Sequence, residues 1–224
     1  MSSAMDYGEL LIREYVTLHE RKYGTDSLYG ESLKKMGRIN LEDVTKEAVE
    51  EIVEPFLYEW GRMGRVLGRP EFWDWHSTLT VQIRSNHHVL TDFRGRQLVE
   101  VSLDECESDI KNCYDSFRQA VGQVASAKVL HLICPDFFPL WDNAIAKAVR
   151  TELVEKTNVG VIKDFSAGDY YRFMRGIQTL LKTYGELLLR LANQHGKGQL
   201  RIIDEFLWWA THRPLSLVIQ DPDS

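Results

Sequence analysis

Apolar positions along the chain recur at spacings of three and four, the period of a helix with one buried face. Tyr7, Leu10, Leu11, Tyr15 and Leu18 set this period over residues 5–23, and Gly24 offers a stop. A glycine-punctuated stretch follows, with a helix predicted near 31–36. Thr45 can cap a helix over 46–54, with Glu47, Glu50 and Glu51 in its early turns, where the helix dipole favours acids. Pro55 should end that helix and suits the first turn of another over 55–67. Pro70 restarts the chain into Phe72, Trp73, Trp75 and Leu79, a predicted helix at 71–85. Residues 86–101 read ambiguously: Val99 and Val101 flank Glu100 as in a short strand, but no partner strand is in sight.

Ser102-Leu103-Asp104-Glu105 reads as a capping box. The helix it opens carries Leu103, Cys106, Ile110, Cys113, Tyr114, Phe117 and Val121 on one face, and Gly122 ends it. Further helices are predicted at about 125–134, at 143–155 behind Asp142, from a cap at Ser166 to about 194, and at 199–212. With no strand-rich block, no βαβ alternation and no internal repeat, the predicted class is all-α. About eight to ten helices form one domain over 1–224, with possible lobes at 1–100 and 101–213 and a frayed tail at 214–224.

Composition narrows the function. Of 224 residues, 44% are hydrophobic and 27% charged. No apolar run is long enough to span a membrane, and the first residues lack the basic and apolar regions of a signal peptide. The expectation is a cytoplasmic protein. Cys106, Cys113 and Cys134 form no C-x-x-C pair, so they read as buried thiols rather than a zinc or redox site. The net charge of −6 argues against sequence-blind nucleic-acid coating. That acidity is local, however. Residues 1–60 hold 13 acidic and 7 basic side chains, whereas residues 142–213 hold 8 and 11. A phosphate-binding face elsewhere is therefore compatible with the composition.

The run from Gly122 to Asp142 carries the most chemistry. It reads as a helix end, an apolar helix bearing Lys128, a link bracketed by Pro135 and Pro139, and Asp142 at the next helix start. Lys128 among Val124, Val129, Leu130 and Leu132 is either a snorkelling surface cation or an amine against an apolar wall. In the second case its proton affinity falls and the free amine becomes a nucleophile. Asp142 can act as a plain N-cap or as a carboxylate at a site.

This arrangement resembles the helix-hairpin-helix/GPD superfamily of DNA base-excision glycosylases, which includes the 8-oxoguanine glycosylases. In that family a hairpin precedes a helix with an early Lys, and a catalytic Asp opens the following helix. The resemblance covers Val121 to Val154. It implies a two-lobed glycosylase-like arrangement of helices, with Lys128 as the lyase lysine and Trp141-Asp142 in the place of the family's Val-Asp pair. It also implies duplex DNA with a damaged or flipped base as partner, and neither metal nor cofactor. The Lys128 amine would attack the sugar C1′ and expel the base, with Asp142 stabilising the developing positive charge. Trp141 and Phe137 are the expected stacking residues, with Phe138, Trp73 and Trp75 as further candidates. The family hairpin reads Leu-Pro-Gly-Val-Gly-x-Lys, whereas Val124-Ala125-Ser126-Ala127-Lys128 contains no glycine.

Arg62, Arg65 and Arg69 recur at helical spacing, and Arg94 with Arg96 could extend them into a phosphate-contacting patch. A solvated face is the plainer reading. His87-His88 lacks metal-ligand spacing, and His131 reads as a satisfied core histidine. Asp204 and Glu205 are adjacent on a helix, so they face apart and make a poor acid–base pair. The alternative to a glycosylase/lyase is a non-catalytic helical binding or regulatory protein on the same scaffold.

Overall fold

The fold is taken from a computed structural model, which describes residues 7–23, 26–142, 145 and 165–212. Ten α-helices are present among these residues and no strand. They are α1 (Tyr7–Tyr23), α2 (Ser27–Gly37), α3 (Lys46–Ala48), α4 (Gly64–Leu67), α5 (Trp75–Ser85), α6 (His87–Arg94), α7 (Leu103–Val121), α8 (Gln123–Ile133), α9 (Ala167–His195) and α10 (Gln199–His212). The all-α class read from the sequence is the class observed. α8 packs on α7 and α2, α9 on α7 and α10, and α1 on α10. One apolar core draws on both halves of the chain, from Ile12 and Val16 through Tyr114 and Phe137 to Trp209.

Several local outcomes differ from the sequence reading. Pro55 does not end a helix. The chain coils on from Lys46 to Trp60, with π turns at Val49–Val53 and Phe56–Trp60 on either side of the proline. The wider register accommodates a ring that brings no N–H. The break comes later, at Gly61 and Arg62, where Arg62 has φ 54°. Residues 87–94 are helical, and the valines at 99 and 101 are not in a strand. Gln178 Nε2 donates to the carbonyls of Leu98 and Val101 at 2.7 and 2.8 Å, in place of a neighbouring strand. Ser102 makes no side-chain cap bond, whereas Ser166 and Asp169 form a full capping box at the start of α9. The helix predicted at 143–155 lies outside the described residues except for Ile145, which is helical.

A single residue, Gly122, separates α7 from α8. Its φ of 79° lies in a region that L side chains rarely adopt, and the ring of Phe72 packs against it. This tight hairpin sets the direction of α8 and hence the position of Lys128. Behind α8, His131 Nε2 is paired with the Tyr29 hydroxyl at 2.7 Å and Nδ1 with the Phe138 carbonyl at 2.8 Å.

Candidate functional site

Lys128 and Asp142 line one cleft of about 610 Å³. Its walls come from the C-terminal end of α1, the start of α2, the turn at 59–62, α8, the 140–142 link and α10. On one side stands Trp60, held by stacking on Phe56 at 4.7 Å between ring centres. The Lys128 ammonium sits 5.0 Å from the centre of the Trp60 ring, and the Arg201 guanidinium 5.1 Å from it. Arg201 also lies 5.0 Å from the Tyr29 ring, so two aromatic faces fix its plane. Tyr23 and Trp208, which meet edge to face at 5.6 Å, also line the cleft.

Lys128 is only partly exposed. Burial lowers its pKa, opposed by the negative charges of Asp204 and Asp142, with Arg201 adding to the lowering. Asp142 Oδ1 accepts the backbone N–H of Ile145 at 2.8 Å, the i+3 geometry of an N-cap. Asp204 pairs with Arg201 at 3 residues' spacing on α10. Burial raises the Asp204 pKa, while Arg201 and Lys128 pull it down.

The other sequence candidates divide. Trp141 lines the cleft but is 1% exposed, packed edge-on against Tyr114 and Tyr170, so it serves as wall rather than as a free stacking plate. Arg62 is exposed and lines the cleft. Phe137 is fully buried and stacks on Phe93 at 4.1 Å, away from the cleft lining. Arg65 and Arg69 are exposed beyond the cleft, and Arg69 faces Glu71 at 3.9 Å. Arg94 is not a surface cation. It donates to the carbonyls of Ile133, Ile39 and Met36 and so ties α8 to the end of α2. Arg96 pairs with Asp92 at 2.7 Å within its own surface.

Sequence reasoning passed over Trp60 and Arg201, and set Asp204 aside as half of a poor acid–base pair. A signal existed. Arg201, Asp204 and Glu205 interrupt an otherwise apolar run from Leu200 to Trp209, and charges on a buried face need partners. Glu205, fully buried, is not part of the cleft lining. Lys197 lies 2.7 Å from its carboxylate and also reaches Glu20, and Arg201 Nε lies 3.1 Å from Glu205. His19 stands 3.6 Å from the same carboxylate. His19, Glu20 and Glu205 have ligand atoms close enough to hold a cation, but Lys197 and Arg201 already supply the compensating positive charge.

Compared with known proteins, the chain matches no protein-family model, no curated protein and no solved structure.

Proposed function

We propose that this cleft is the active site of a base-excision glycosylase/lyase-like protein acting on nucleic acid that carries a damaged or abasic nucleotide. The observation that carries the reading is the meeting of Lys128 and Asp142 in one aromatic-walled cleft. A volume of about 610 Å³ lies within the range of small-molecule pockets. The partly desolvated amine attacks C1′ of the flipped nucleotide, and the bond to the base breaks with its electron pair leaving on the base. Asp142 stabilises the positive charge that develops on the sugar. Arg62 at the cleft, with Arg65 and Arg69 beyond it, supplies phosphate contacts. No step in this chemistry calls for a metal or cofactor.

Borohydride trapping on abasic-site duplex DNA tests the reading. A covalent adduct mapped to Lys128, and lost in a folded Lys128→Gln variant, is the expected result. An adduct that forms elsewhere, or none at all, removes the lyase assignment.

A non-catalytic binding protein is the second reading, and two observations favour it. The cleft sets Asp26, Glu59, Asp142 and Asp204 against Arg62, Lys128 and Arg201, so it is no electropositive channel. Val124 to Ala127 stand where the family hairpin presents its glycines to a phosphate, and all four are buried. On this reading Lys128→Gln leaves function intact and duplex DNA binds weakly even at low salt.

A further inference from the structure

We propose that Asp204 is the proton acceptor of Lys128, which leaves Asp142 to face the substrate. The inference rests on the cleft being an amine-nucleophile site. Three observations support it. Asp204 and Lys128 line the same cleft from different helices, α10 and α8. Arg201, held between Tyr29 and Trp60, clamps the Asp204 carboxylate, and the same Trp60 ring receives Lys128. Asp142 is already committed to the N–H of Ile145.

The two carboxylates are held differently: Asp204 by the Arg201 side chain, Asp142 by the backbone N–H of Ile145. Burial shifts Asp204 upward and Lys128 downward, so their proton affinities converge. Asp142 and Arg201 act on both groups. The remaining ionisable lining comprises His19 and Tyr23 on α1, Asp26 before α2, and Glu59 and Arg62 at the turn. The two groups face one cleft without a direct ion pair, so the proton passes from the Lys128 ammonium to the Asp204 carboxylate through a water in that cleft. The neutral amine then forms the N–C1′ bond while the bond from C1′ to the base breaks. The departing base carries the electron pair and takes the proton back from Asp204. The net product is a cationic Lys128–sugar adduct and the neutral base.

Reductive methylation of the intact protein by formaldehyde and dimethylamine–borane, followed at Lys128 by peptide mapping across pH, reads the amine without DNA. In Asp204→Asn the midpoint for Lys128 is expected to fall by about one pH unit, because the charge favouring the ammonium is gone. Trapping on abasic-site DNA at the plateau pH should nonetheless drop on the order of 100-fold, for want of the proton acceptor. Asp204→Glu should restore both readouts toward wild type. A merely loosened cleft would hydrate Lys128 and move its midpoint up, the opposite sign. An unmoved or raised midpoint in Asp204→Asn, or a larger fall in Asp142→Asn, overturns the proposal. Absence of any wild-type DNA adduct overturns the glycosylase/lyase reading instead, and the methylation midpoint still decides the Asp204–Lys128 pairing.

Discussion

His131 Nε2 and the Tyr29 hydroxyl meet at 2.7 Å, in the fully buried space between α2 and the helix that carries Lys128. His131 Nδ1 faces the Phe138 carbonyl, so a neutral ring donating there and accepting from Tyr29 satisfies both sides. Burial holds the His131 pKa down to about 3, which keeps the ring in that neutral form. His131→Phe leaves the Tyr29 hydroxyl and the Phe138 carbonyl unpaired in the core. A loss of about 2–4 kcal/mol is expected by denaturant titration. Tyr29→Phe removes one hydroxyl but leaves an acceptor nitrogen, and should cost about 1–2 kcal/mol. Equal, negligible losses in both variants would show that this pillar does not hold α8.

Glu205 gives the stability a pH dependence with a definite sign. Burial raises its pKa from 4.5 to about 7, against the pull of Arg201 and Lys197. The folded state thus holds the proton more tightly than the unfolded chain. Its stabilising share is full below pH 4.5 and is lost as pH rises through 7. Glu205→Gln should therefore match wild type at acid pH and gain on it as pH rises, by on the order of 3 kcal/mol above pH 7. His19, lowered to about 4 chiefly by burial, works in the other direction: its share is present above pH 6.5 and lost as pH falls toward 4. Melting temperatures of wild type, Glu205→Gln and His19→Gln across pH separate the two slopes. A constant offset between wild type and Glu205→Gln at every pH would rule out the titration.

The hairpin at Gly122 is a conformational requirement. Gly122→Ala forces an L residue to φ 79° and brings its Cβ to 3.2 Å from Phe72. A loss of about 1–2 kcal/mol is expected, from positive φ and crowding together. Phe72→Leu in the same chain should recover the crowding part but not the backbone part. Full recovery would mean that the φ of Gly122 carries no penalty.

The sequence made the helices legible because each buries one face at a steady period, and the stop at Gly122 stood where a positive φ was needed. It also brought Lys128 and Asp142 together, since both flank one short apolar helix and its link. It could not show Arg201 and Asp204 in the same cleft. Their approach to α8 depends on how α10 packs at long range, and an i,i+3 pair on one helix says nothing of what lies opposite. The continuation through Pro55 was hidden for a different reason: widening the helix to π turns is a backbone response to context, with no residue signature of its own. Phe137 and Arg94 were misplaced because an aromatic or a guanidinium looks the same in sequence whether it faces a ligand or satisfies the core.

The arginines provide the sharpest contrast between surface and scaffold. On the proposed function, Arg62, Arg65 and Arg69 approach phosphates, whereas Arg94 spends its donors on the carbonyls of Ile133, Ile39 and Met36. Each phosphate contact releases counterions, so its removal should reduce the slope of log K against log salt by about 1. Arg62→Ser and Arg65→Ser should each weaken binding to an abasic-site duplex and flatten that slope, with melting temperature nearly unchanged. Arg94→Met should leave the slope alone and lower stability by a few kcal/mol, because the carbonyls of Ile133 and Ile39 lose this donor at about 1–3 kcal/mol each before relaxation, whereas Met36 keeps the N–H of Ile39. A flattened slope in Arg94→Met with no loss of stability would place Arg94 on the nucleic-acid face after all. An unchanged slope in both serine variants would remove the 62–69 segment from that face.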